Sequence, residues 1–123
     1  MMHSLSWTLG KSNGSMKDFN FSDVLDKLSF LKKSCGTVTL RSYKNDEEFM
    51  LQVRAENDNY LVTFGGVFDG DYDVMSYDGS GDGSIMILGD LWPEAQVSKD
   101  FNFVESVFKV FYKTGWVPKD MLN

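Results

Sequence analysis

The sequence predicts a two-layer α+β domain, in which an antiparallel β-meander of about six strands is packed by two helices in the order β-α-β-β-β-β-β-α. Three observations carry that expectation. Apolar and polar residues alternate through several short runs between positions 37 and 88, the period of a half-buried strand. The turn residues Asn57-Asp58-Asn59, Asp69-Gly70-Asp71 and Asp78-Gly79 separate those runs, leaving no room for crossover helices, so neighbouring strands pair antiparallel. Helical spacing of apolar residues occurs in two places, one before these runs and one after them. The 123 residues fit a single domain, 1–123, and an aromatic content of 15% supplies the apolar area that disordered chains lack.

Each element has its own signal. Leu5, Trp7 and Leu9 share one face of a first strand over 4–9, and the glycine- and serine-rich stretch 10–15 reads as a loop. Asn20 is placed to cap a helix, with Asp23 in the third position and Val24, Leu25, Leu28 and Leu31 on one face; Lys32 and Lys33 suit its C-terminal dipole and Gly36 ends it. Strands follow over 37–43, 49–55, 60–67, 72–77 and 84–88. Asn102 and Glu105 have the spacing of a capping box, Val104, Val107, Phe108 and Phe111 lie on one face, and Gly115 closes this second helix. The pentapeptide KDFNF stands before both helices, at 17–21 and 99–103, and reads as one helix-start solution used twice.

Charge narrows the function. The net charge is −6, yet residues 56–105 hold eleven acidic side chains against Lys99 alone, a local balance of −10, while the flanking segments are each +2. A field of that sign repels nucleic acid and anionic lipid and accelerates encounter with a basic protein. No apolar run approaches the roughly 20 residues of a membrane span, so no membrane association is expected. With Cys35 the sole cysteine, no internal disulfide can form, and the N-terminal residues lack the pattern of a secretory signal; the expected compartment is the cytoplasm.

The residues of common chemistries are mostly missing. His3 is the one histidine, placed in a terminus expected to fray, and Cys35 follows a helix C-terminus, which disfavours a thiolate and points to a buried or incidental thiol. Two stretches resemble the start of a calcium loop. In 69–80 the sixth position is Val74 and the twelfth Ser80; in 78–89 the twelfth is Gly89, so neither has the bidentate glutamate that closes such a site. Gly79, Gly81 and Gly83 lie beside Asp78 and Asp82 with no lysine following, a setting that repels phosphate. No enzyme activity, metal or cofactor is expected. What remains is the acidic stretch, interleaved with Tyr60, Phe68, Tyr72, Tyr77 and Trp92, a combination that suits protein binding, with charge for steering and aromatics as anchors.

Three passages carry a resemblance: SWTLGKSNGS near the N-terminus, LSFLKKSCGTVTLR across the first helix and strand, and ILGDLWPEAQVSKDFNFVESVFKVFYKTGWVPKDMLN at the C-terminus. In these the chain resembles the immunity proteins of bacterial contact-dependent growth inhibition and related polymorphic toxin systems. The resemblance implies a small cytosolic antidote that binds and neutralises the C-terminal toxin domain of a cognate effector, in many cases a nuclease with a basic substrate groove, and it brings no catalytic residues. The expected contact surface comprises Asp69, Asp71, Asp73, Asp78, Asp82, Asp90 and Glu94, with Tyr72 and Trp92 as anchors, Trp92-Pro93 being equally readable as a structural corner. The same acidic surface would also serve an adaptor or scaffold with a cellular partner.

Overall fold

A computed structural model describes residues 2–123 except Lys33 and Asp69, and of Phe68 the backbone alone. Strands β1 (Met2–Leu9) and β2 (Ser12–Met16) precede helix α1 (Phe21–Phe30). Strands β3 (Gly36–Lys44), β4 (Glu47–Glu56), β5 (Asn59–Phe68) and β6 (Asp71–Ser76) form the predicted meander, and β7 (Ser84–Ile87), β8 (Asp90–Pro93), a 3₁₀ turn at Glu94–Gln96, β9 (Val97–Ser98) and helix α2 (Phe101–Thr114) follow. The main sheet runs β2-β1-β3-β4-β5-β6, with β9 pairing the start of β5, and every pair is antiparallel. The α+β class and the two-helix packing agree with the sequence expectation.

Local chemistry accounts for the meander. Asn45-Asp46 and Asn57-Asp58 all adopt positive φ, between 52° and 62°, the geometry of a two-residue turn whose twist matches that of the strands it joins. The resulting register lines Leu5, Leu40, Leu51 and Phe64 up across four strands, with Val38, Val53 and Val62 one row along. These side chains are fully buried beneath Val24, Leu28 and Leu31 of the α1 segment and Val104, Val107, Phe108 and Phe111 of α2. Burying each is worth about 1.5–3 kcal/mol, so this helix-covered face holds the fold together. The C-terminal tail adds buried Val117 and Leu122, and Asn123 exchanges both of its backbone hydrogen bonds with Ser76 at the outer edge of β6.

Several local readings change. The loop expected over 10–15 contains β2, because β1 offers an unpaired edge and Gly14, opposite Trp7, leaves room for the indole: a Cβ there would lie 2.6 Å from the ring. Asn20 and Asp23 form the expected capping box, Asn20 Oδ1 accepting from the Asp23 amide at 3.2 Å and Asp23 Oδ2 from the Asn20 amide at 2.9 Å. Helix α1 nevertheless ends at Phe30, short of Gly36, which opens β3; Lys33 lies outside the described residues. Helix α2 starts earlier than Asn102: Asp100 is its cap, accepting from the Asn102 amide at 2.9 Å. The repeated KDFNF is therefore used in two registers, capped by its asparagine the first time and its aspartate the second. The earlier start brings Phe101 edge-on to Tyr60 at 5.7 Å, with Lys32 Nζ over the Phe101 ring, 4.5 Å from its centre.

At two single residues the structure decides an expectation: that of a frayed His3 is overturned, and of the two readings of Cys35, buried or incidental, the buried one is excluded. His3 is held in β1 opposite Ser42 and stacks on Tyr112 at 5.0 Å, so strand pairing ties down the terminus that was expected to fray. Cys35 is exposed.

The strand expected over 84–88 lies outside the main sheet. After β6 the chain turns back, with Gly79 N–H donating to the Ala95 carbonyl at 2.7 Å and Glu94 N–H to that of Gly83 at 3.0 Å. These bonds, and the Asn123 contact on the β6 edge, direct β7 to pair with β8 instead. The β7–β8 hairpin packs Ile85, Ile87 and Trp92 against Leu61 and Val97, covering one end of the sheet face opposite the helices.

Candidate protein-binding face

The uncovered face is built by the strand positions that alternate with the core. Register puts Ser6, Thr39, Arg41, Met50, Gln52, Thr63, Gly65, Val67, Tyr72 and Val74 on it. Polar side chains in its centre satisfy one another: Gln52 Nε2 donates to Thr39 Oγ1 at 3.0 Å and Arg41 Nη1 to Ser6 Oγ at 3.2 Å. Glu48 holds Arg41 through Nε at 3.2 Å, an exposed pair worth at most about 1 kcal/mol that chiefly fixes where the guanidinium lies.

At the end away from the hairpin this face forms an open groove of about 400 Å³. Its floor is Met50, Gly65 and Val67, its rim is Asp46 of the β3–β4 turn with Glu47 and Glu48 at the start of β4, and Tyr72 stands at its side with Arg41. Tyr72 is 65% exposed and Val74 beside it is 53% exposed. Adjacent glycines shape the place. A Cβ on Gly65 would lie 2.7 Å from Tyr72 Oη on the open face, and one on Gly66 would lie 2.2 Å from Phe49 Cδ1 on the helix side. One missing side chain lets Tyr72 lie across β5, and the other lets Phe49 close the core.

The acidic residues singled out by sequence fall at two ends of the sheet. Asp71 and Asp73 flank Tyr72 on β6, pointing to the other side of the strand into a neighbouring groove with Glu47, Phe49, Met75, Trp116 and Lys119. Asp78 and Asp82 lie in the loop before the hairpin, Asp90 beside its tip and Glu94 after it, at the opposite end of β5, a strand of 10 residues and so roughly 30 Å long. Asp69 lies outside the described residues, as does the side chain of Phe68.

At the hairpin end the named groups are engaged in packing. Trp92 is half-buried, with the Arg54 guanidinium 5.7 Å from its ring centre. Glu94 lies against Gly81 and Gly83, where added Cβ atoms would come within 2.8 Å of its carboxylate. Glu56 accepts the Leu88 amide at 3.0 Å, pinning a tip in which Leu88 has φ 52°. The outward side of the hairpin exposes Met86 and Leu91. Of the other aromatics, Tyr60 is a core residue and Tyr77 packs edge-on to Phe103 at 5.1 Å. Burial, with the Asp58 carboxylate close by, raises the Tyr60 hydroxyl above its ordinary pKa of 10.0.

The groove residues Asp46, Glu47, Glu48, Met50, Gly65 and Val67 were not singled out by charge, because the first 55 residues balance to +2. The consecutive glycines in β5 were the available signal, since a strand glycine marks a close approach. Among the described residues no group of three or more His, Cys, Asp or Glu is placed to hold a metal ion, and no helix is long and apolar enough to cross a membrane.

Comparison with curated proteins finds no match. Among solved structures, the chain is similar to a crystal structure described as a hypothetical protein from Neisseria gonorrhoeae, with a TM-score of 0.78 at 15% identity over 95% of this chain and 90% of the other; at that identity the likeness concerns the fold. The sequence matches, over residues 4–121, the model of a family of unknown function, DUF6911, and the chain belongs to that family.

Proposed function

We propose that this protein works by binding a positively charged protein, and that the partner is the C-terminal toxin domain of a contact-dependent growth inhibition effector, neutralised in the cytosol of the cell that makes both. The observation that carries the binding reading is a sheet face left open beside an exposed tyrosine and a carboxylate rim, in a chain of net charge −6. Exposed aromatic and apolar groups ringed by charge combine anchoring with steering. The sequence resemblance described above supplies the antidote role. On this reading the chain is a stoichiometric inhibitor and not an enzyme, and an acidic surface competes with nucleic acid for the basic groove of a nuclease toxin.

Co-expression tests it. The toxin domain encoded beside this gene, produced with this chain, should permit growth and co-purify as a complex whose association rate falls as salt rises. Continued killing by a well-expressed toxin in the presence of folded antidote contradicts the antidote role.

A further inference from the structure

We infer that the recognition site is the groove beside Tyr72, and that it takes an arginine or lysine side chain carried on a segment laid across the open sheet face. This rests on the reading of a basic protein partner and specifies where and how such a partner is held.

Chemistry favours a cation there. A tyrosine ring that leaves most of its surface in solvent attracts a guanidinium or ammonium group over its face, and carboxylates within reach add charge-assisted hydrogen bonds. Tyr72 is 65% exposed, and Asp46, Glu47 and Glu48 share its groove against Arg41, which Glu48 and Ser6 already hold. Met50 and Val67 offer apolar contact for the aliphatic stem of such a side chain.

The partner's route is set by the β6 edge. Ser76 exchanges backbone bonds with Asn123 (3.4 and 2.9 Å), and Asp73 Oδ1 accepts the Val74 amide at 2.8 Å. Those bonds close the ladder to a further strand at Ser76 and take up the Val74 donor, which shortens the edge open to pairing and favours a partner laid on the face. The hairpin end is the weaker candidate, since Trp92, Glu94 and Glu56 are engaged in holding the hairpin.

Titrating the ¹⁵N-labelled full chain with the capped peptide Gly-Arg-Val-Arg-Val-Gly reads this directly. The inference expects shifts at Gly65, Val67, Tyr72 and Glu47 that are absent with the peptide carrying glutamate for arginine. It expects Tyr72→Ala to weaken binding about fivefold, Tyr72→Phe to retain it, and Gly65→Ala, which displaces the ring, to weaken it with little change in thermal stability. Shifts confined to Met86, Leu88 and Leu91, or no shifts at all, overturn it. With the toxin domain as ligand, unchanged affinity in Tyr72→Ala together with weakened binding in an Asp82→Lys/Asp90→Lys variant refutes this site while leaving the basic-partner reading standing; failure of the wild-type chain to bind the toxin refutes that reading instead.

Discussion

The two faces of the central sheet are made by the same strands and do opposite work. On one, Leu5, Leu40, Leu51 and Phe64 are closed off by helices; on the other, alternating with them, Arg41, Met50 and Val67 are half-buried and Tyr72 is exposed, its hydroxyl end lying over the buried Gly65. In a strand, neighbours in sequence face opposite environments, so the side chains that hold the core and those left on the open face alternate along one chain segment and can be altered separately.

That separation gives its largest effect in the core. Leu51→Ala should cost about 2–5 kcal/mol in a denaturant titration, against no more than about 1 kcal/mol for Val67→Ala on the open face. The adjacent glycines sharpen the contrast. Gly66→Ala drives a Cβ into the Phe49 ring, and overpacking of that kind costs about 1–3 kcal/mol. Gly65→Ala meets the hydroxyl end of the exposed Tyr72 side chain, which can turn into solvent, and should leave the melting temperature nearly unchanged. Equal losses at both positions would show that the two faces are not independent.

The hairpin interrupts the open face and is expected to respond locally. Trp92→Ala removes the contact among Ile85, Ile87, Leu61 and Val97, and should cost about 2 kcal/mol while speeding hydrogen exchange at β7 and β8 more than at β3 or β4. Trp92→Phe should cost less than the alanine variant, because the indole Nε1 is buried with no hydrogen-bond partner among the described residues, and phenylalanine keeps the ring without that donor.

How much of this division was legible in the sequence depended on whether one strand's own pattern sufficed. Alternation in the segments of β3, β4 and β5 was enough to place those strands, and Asn20 with Asp23 to start α1. β2 was not legible, because its polar residues become a strand only through pairing with β1 and the space that Gly14 leaves for Trp7. The start of α2 depended on Phe101 reaching Tyr60, a contact between residues far apart in the chain. The departure of β7 from the sheet depended on Asn123 closing an edge from the far end of the sequence. The groove was hidden for a similar reason: its rim comes from 46–48 and its tyrosine from β6, and charge counted along the chain does not join them.

The smallest predicted effect lies at high pH. Tyr60 is held neutral by burial and by the neighbouring Asp58, so its folded pKa exceeds the unfolded value. The stabilisation from this difference is complete below pH 10.0 and is lost as pH rises from there through the folded pKa. Tyr60→Phe should therefore flatten the alkaline loss of stability in melts taken above pH 10.0; an identical loss in wild type and variant would contradict the shift.

The most direct test of the open face as the proposed binding surface is methyl NMR of the chain titrated with a contact-dependent growth inhibition toxin domain that it binds. The prediction is perturbation of the Met50, Val67 and Val74 methyls, with those of Met86, Leu88 and Leu91 unchanged. Perturbation of the hairpin methyls alone, in a formed complex, would contradict it.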